Sequence, residues 1–183
     1  MSDIIPFIAL GFRHITDLAA LDHLLFLVAL AAIYRGRDWR DALRVVSAFT
    51  VGHSITLALA VSGAVRLPTP LIEFLIPVTI VATGLENIAG RLGSYRPLLA
   101  GVFGLVHGAG FANYLRSLFE GSIAGPLFGF NLGIEIGQIL VLAAAVTLLA
   151  GLDLVLTQRG RTIAVSAAVV LVASRMAVER MPW

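Results

Sequence analysis

The chain has no cysteine and no lysine, and only 13% of its 183 residues are charged. The lack of cysteine excludes a disulfide-stapled scaffold and argues against a Cu(I) carrier built on thiolates. The charged share is about half of what a soluble domain carries, which excludes a soluble globular protein or a disordered chain. No GxxxxGK[ST] run and no HExxH pair occurs. The chain therefore carries neither the usual phosphate loop nor the usual zinc-protease helix. All 13 basic residues are arginine; they sit at the ends of apolar stretches and form no stripe for nucleic acid. There is no convincing internal repeat, no low-complexity segment and no linker long enough to divide the chain. The sequence reads as a single integral membrane domain over residues 1–183.

What is abundant is apolar surface: 58% of residues are hydrophobic and the mean hydropathy is +0.94. A helix crossing a bilayer needs about 20 apolar residues, so about six crossings fit. Their flanks mark Phe12–Tyr34, Leu43–Ser62, Leu71–Ala89, Leu98–Leu115, Leu127–Leu149 and Ile163–Val178. The expected fold is all-α, a polytopic membrane bundle. The short run Ile4–Leu10 reads as an extra half-turn at the interface, and Pro77 predicts a kink in the third span. The start Met1-Ser2-Asp3 has no basic region, so no cleaved leader is expected. The connections after spans one, three and five hold Arg35, Arg37, Arg40, Arg44, Arg91, Arg96, Arg159 and Arg161. The other side holds Arg13, Arg66, Arg116, Arg175 and Arg180. The bias places the first group in the cytoplasm and both termini outside a cell inner (plasma) membrane. Trp39, Tyr95 and Trp183 fall where interfacial aromatics are expected.

Against this background the ionisable residues inside the spans stand out, because each is costly in hydrocarbon and normally faces a protein interior. All four histidines, His14, His23, His53 and His107, lie in or beside apolar segments, with Asp17, Asp22, Glu86, Asn87, Asn131, Glu135 and Gln138. At ~1.5 Å per residue, Asp22, His23, His53, His107, Glu135 and Gln138 converge near the midplane. His14 and Asp17 fall near the outer mouth, and Glu86 lies nearer the cytoplasm. Asn131, Glu135 and Gln138 share one helical face, as do His53 with Thr56, and Thr79 with Thr83 and Glu86. Imidazoles and carboxylates at one depth suit a borderline divalent metal such as Ni, Co, Zn or Cu. Asp22 would bind it directly or orient a neighbouring ligand. Asn87, Asn131 and Gln138 read as interhelical hydrogen-bond donors and acceptors, and Glu73 and Glu120 as solvated span ends.

Glycine has its own pattern. Gly125, Gly129, Gly133 and Gly137 recur every four residues, a stripe that lets another helix approach, and Gly104 with Gly108 makes a second pair. The polar trio of span five is offset by about 200° from its stripe. That span should pack tightly on one side and present polar groups on the other. The stripe would serve a homo-oligomer as readily as the monomer core.

Five blocks in order then resemble one family. They are Gly11-Phe12-Arg13-His14 with Leu21-Asp22-His23-Leu24-Leu25-Phe26-Leu27; Phe49-Thr50-Val51-Gly52-His53-Ser54 with Thr56; and Glu86-Asn87. Phe103-Gly104-Leu105-Val106-His107-Gly108 with Gly110-Phe111 follows, then Phe130-Asn131-Leu132-Gly133-Ile134-Glu135 with Gly137-Gln138. They are similar to the HupE/UreJ hydrogenase and urease accessory membrane proteins. The resemblance implies a nickel or cobalt permease, with His14, Asp22 and His23 as the metal-handling signature, joined by His53, His107 and Glu135. One departure concerns His14. The family pattern has a shorter interval before Asp-His, whereas seven residues intervene here. On a straight helix this turns His14 and His23 about 180° apart. Either the helix begins after His14, or His14 does not partner His23.

The leading expectation is a transition-metal permease whose substrate is nickel, with cobalt or zinc as further candidates. The ion would enter past Asp17 and His14, bind at the midplane on Asp22, His23, His53, His107 and Glu135, and leave past Glu86. Two alternatives use the same residues: an intramembrane zinc-dependent hydrolase acting on lipid, and a membrane metal chaperone or sensor.

Overall fold

The computed structural model describes residues 4–18, 20–66, 68–90, 93–118 and 123–182, without the side chains of Asn113 and Arg116. The readings placed on Arg91, the Arg116 side chain, Glu120 and Trp183 lie outside the described residues. Among the described residues seven α-helices follow in order: α1 (Ile4–Thr16), α2 (Leu21–Ala31), α3 (Trp39–Val61), α4 (Thr69–Ala89), α5 (Arg96–Ser117), α6 (Ala124–Ala150) and α7 (Gln158–Glu179). Among the described residues α3, α4, α6 and α7 are each long and apolar enough to cross a membrane. The pair α1 and α2, bent by 69° at a short break, makes a fifth crossing if counted as one. The chain is an all-helical membrane protein.

The helix ends follow local chemistry. Pro70 sits in the first turn of α4, where its missing N–H costs nothing. The same helix runs through Pro77 as one element and stops at Gly90, whose φ of 74° lies in the left-handed region. Arg159 donates to the last carbonyls, those of Asn87 and Ile88. Thr157 caps α7 by accepting from the Gly160 N–H at 3.0 Å.

The helices pack as three couples: α3 with α5, α1 with α6, and α4 with α7. Contacts of α6 with α3 and of α4 with α5 join the couples, and α2 sits against α4, α6 and α7. Glycine explains two couples. A Cβ on Gly104 would stand 2.1 Å from the Phe49 carbonyl, and one on Gly108 would stand 2.2 Å from that of His53. In the other couple, a Cβ on Gly133 would stand 2.1 Å from the Ile8 carbonyl, and one on Gly11 would stand 2.0 Å from that of Phe130. Backbone lies on backbone, the contact that small residues permit between helices in lipid. Positions rise together in both couples (49 with 104, 53 with 108; 4 with 129, 8 with 133), so each pair is parallel.

Two expectations about the first span are corrected. Phe12–Tyr34 is not one helix: α1 ends at Thr16 and α2 begins at Leu21. Nor is Ile4–Leu10 an interfacial half-turn, because it is the body of α1. The reason is the glycine stripe of α6, which takes in α1 over its whole length and gives those apolar residues a partner. The break keeps its backbone bonded, since the Asp17 N–H donates to the Arg13 carbonyl at 2.9 Å and the Ala20 N–H to that of Asp17 at 3.0 Å.

Candidate metal site

The break positions the site. His14 lies in the last turn of α1 and His23 in the first turn of α2. With a bend between them, their facing is no longer fixed by the interval on a straight helix. The two rings stand 4.5 Å apart, centre to centre. Of the sequence alternatives for His14, the first holds in part: the helix carrying His23 begins after His14, which itself ends a separate helix whose bend brings the two rings together.

His53, on α3, completes the group. One ring nitrogen from each of His14, His23 and His53 lies within 4.8 Å of the other two. Two imidazoles sharing one ion stand at most about 4.2 Å apart, twice a bond of ~2.1 Å, so small ring rotations suffice to bring them onto a common centre. His53 is fully buried and His23 is 8% exposed. Both nitrogens of each, and Nε2 of His14, are buried without a hydrogen-bond partner among the described residues. Buried polar atoms are normally bonded, so this concentration of bare nitrogens marks a place built for something else.

His107 stands beside the group, its ring centre 5.5 Å from that of His23. Thr79 Oγ1 donates its proton to the Ile76 carbonyl at 2.7 Å. It can then only accept from His107 Nε2, 3.0 Å away. That assigns the proton to Nε2 and leaves Nδ1, buried and unpartnered, as a bare lone pair. Thr79 thus orients a histidine, a role the sequence did not signal beyond the face Thr79 shares with Thr83 and Glu86.

Phenylalanines enclose the cluster. The Phe111 ring lies 4.1 Å from His14 and stacks on Phe130 at 5.1 Å. Phe49 lies 5.0 Å from His107 and 4.7 Å from Phe26. An apolar wall of this kind limits water at a metal site.

The carboxylates take other places. Asp22 is held by Arg180 Nη1 through both oxygens at 3.2 Å. Beside it a cavity of about 310 Å³ opens onto His14, His23, His107 and Glu73. Asp22 is therefore at the rim on the Arg180 side, and His14 in the cluster, the reverse of the depths read from sequence. Adjacent residues on a helix point about 100° apart, so Asp22 and His23 cannot share a direction. Glu135 accepts from Ser47 and Thr50 of α3, each at 2.5 Å. Gln138 lies 2.7 Å from the same Thr50 hydroxyl. The polar face of α6 thus joins α3, opposite its glycine stripe. Asn131 bonds its own helix, donating to the Leu127 carbonyl. Asp17 is exposed in the break.

Glu86 and Asn87 lie at the opposite end from Arg180. Asn87 is fully buried and joins three other helices. It donates to the Ala29 carbonyl at 2.8 Å and to Ser166 at 3.2 Å, and accepts from Arg96 at 2.7 Å.

The family model described as HupE / UreJ protein matches residues 1–180. The chain belongs to the HupE/UreJ family. No curated protein and no solved structure matches it. Membership gives this HupE/UreJ chain a metal, nickel or cobalt, transport or accessory role, with a metal ion as substrate and a membrane as its setting.

Proposed function

We propose that this HupE/UreJ protein is a permease for a divalent transition metal, nickel first, and that His14, His23 and His53 form its binding site with His107 beside them. The observation that carries the reading is the convergence of three imidazoles, from α1, α2 and α3, whose buried nitrogens have no partner. Neutral imidazole suits nickel, cobalt and zinc, and the absence of thiolate favours release. The broken span supports transport, because discontinuous helices place such sites near the bilayer midplane in transporter folds. The last turn of α1, the negative end of its dipole, carries His14.

Six crossings are the topology we favour. Counting α1 with α2 as one span and α5 as another, alternation makes α1 parallel to α6 and α3 parallel to α5, as their glycine registers run. An even count puts both termini on one face, and the arginine bias favours the outside of a plasma membrane.

The test is equilibrium binding of Ni2+ to the purified protein, paired with flux into proteoliposomes. One ion per chain is expected, lost in both His23→Ala and His53→Ala, with wild-type flux above that of empty vesicles. Unchanged stoichiometry in both variants would overturn the site. A tightly held ion without flux would favour the hydrolase or the metal chaperone.

A further inference from the structure

Two cavities approach the histidine cluster from opposite ends, and they differ in one respect. The cavity at the Arg180 end touches His14, His23 and His107 directly. The cavity at the other end is larger, about 610 Å³, and is lined by Tyr34, Asp38, Asp41, Arg96 and Gln158 among others, but by no histidine. Between it and the cluster lies a void of only about 10 Å³, lined by Phe26, Thr83, Glu86, Arg96 and Phe103. That is room for about one water. Phe26 roofs this void and its ring lies 5.6 Å from that of His107. Arg96 is common to the void and the large cavity.

Arg96 is 6% exposed. Its Nη2 is 2.7 Å from Asn87 Oδ1 and 3.7 Å from Glu86 Oε2. Yet Nη1 of Arg96 and Oε1 of Glu86 are both buried and have no hydrogen-bond partner among the described residues. A structural ion pair normally satisfies its remaining donors and acceptors, because unpaired buried charge is costly. This pair does not; the Arg161–Asp153 pair also leaves Nε and Oδ1 unpartnered, but Arg96 and Glu86 alone of the two pairs line the void between the cluster and the large cavity.

The geometry points to Arg96 as a gate, with Glu86 as its latch: the guanidinium plugs the Thr83 void, and the structure is the state open toward Arg180 and closed toward Arg96. The inference rests on the permease reading for what passes, a divalent cation. A fixed positive charge on the route bars a dication both by volume and by repulsion. Passage requires Arg96 to swing into the large cavity, which frees the Glu86 carboxylate to face the ion. Arg96 positions and blocks; it is not a ligand.

The native chain has no cysteine, so single reporters can be placed without background. Thr83→Cys reports on the void, and Ile76→Cys on the cavity that touches the histidines. Each is reacted with a membrane-impermeant thiosulfonate from either face of sealed vesicles. No metal is added, so a failure of the gate is separate from a failure of metal binding. The Thr83→Cys thiol should be unreactive from both faces. Adding Arg96→Gln should raise its rate at least tenfold, from the Arg96 face only. Ile76→Cys should react from the Arg180 face with or without Arg96→Gln, which also shows that the fold is kept. If Arg96→Gln does not fold, Glu86→Gln is read instead, and a smaller rise from the same face is expected. A Thr83→Cys rate unchanged by whichever variant folds, or a rise from the Arg180 face, would overturn the gate while leaving the metal site standing.

Discussion

Two buried polar regions lie in one small bundle: one is knitted by hydrogen bonds with a few atoms left over, Arg161 Nε and Arg96 Nη1 among them, and the other leaves most of its ring nitrogens unbonded. At the Arg159–Arg161 end, Asn87 spends its amide on three partners. Arg161, fully buried, donates to the Tyr34 carbonyl and to Asp153 at 3.1 Å each, and Thr162 donates to the Ala32 carbonyl at 2.8 Å. At the histidine cluster, six buried ring nitrogens have no partner among the described residues. Both regions are buried, so exposure alone does not explain the contrast. The first is a knot that ties α2, α4, α5 and α7 together. The second is held open at a cost in stability, which is how binding sites differ from scaffolding.

The sharpest break of this contrast uses the scaffold under both regions. Gly104→Leu forces a Cβ to within 2.1 Å of the Phe49 carbonyl, and backbone cannot step aside. We expect loss of folded protein, read as aggregation on size exclusion. Normal yield and elution would show that the α3–α5 contact is looser than backbone on backbone. Next in size is the knot itself. Asn87→Ala leaves Ser166, the Ala29 carbonyl and Arg96 short of a partner, at about 1–3 kcal/mol for each buried group left unsatisfied. A total of about 3 kcal/mol or more should lower the melting temperature in detergent, with Ni2+ stoichiometry unchanged in the folded fraction.

The cluster should respond in the other direction. His53→Leu removes two unpartnered nitrogens from a fully buried position. It should abolish Ni2+ binding yet raise the stability of the metal-free protein by about 1 kcal/mol, or ~2–4 °C for a chain of this size. A lower melting temperature would mean that those nitrogens have partners in solution and that the contrast is false.

How much of this was legible in the sequence depends on which force wrote it. The long spans were legible because lipid demands unbroken apolar runs. That His23 and His53 would lie at one depth was expected because histidine in such runs needs a reason, whereas the place of His14 was left open. The break between Thr16 and Leu21 was hidden: the intervening sequence is mostly apolar and contains no proline or glycine. Its only trace was the awkward interval from His14 to His23. The glycine stripe announced a close neighbour but not that the neighbour is α1. Asp22 illustrates a different limit, because sequence adjacency to His23 says nothing about direction. Arg96 and Arg180 were missed as site residues since arginine at a span end is ordinarily an interfacial anchor.

Subtler effects should appear one contact away from the cluster. Thr79→Val keeps the shape of the side chain but removes the oxygen that accepts from His107 Nε2. Loss of such an orienting partner typically weakens metal affinity 10–100-fold. If His107 lies outside the metal's reach, Ni2+ affinity will be unchanged and only stability will fall.

The smallest effect belongs to the rim, where Arg180 holds Asp22. The two side chains are 33% and 19% exposed, and a pair of that kind is worth under ~1 kcal/mol. Arg180→Gln should therefore barely move the melting temperature. What it changes is the charge facing the cavity that opens onto three histidines: a guanidinium that repels a dication is gone, and Asp22 is released. Ni2+ binding should tighten about two- to threefold, equivalent to ~0.5 kcal/mol, and the gain should shrink as salt is raised. Adding Asp22→Asn separates the two contributions. If the gain disappears, Asp22 joins the ion once freed from Arg180, and the rim is a dormant part of the site. If it persists, removal of positive charge alone accounts for it, and the contrast between a bonded rim and bare imidazoles stands as the structure draws it.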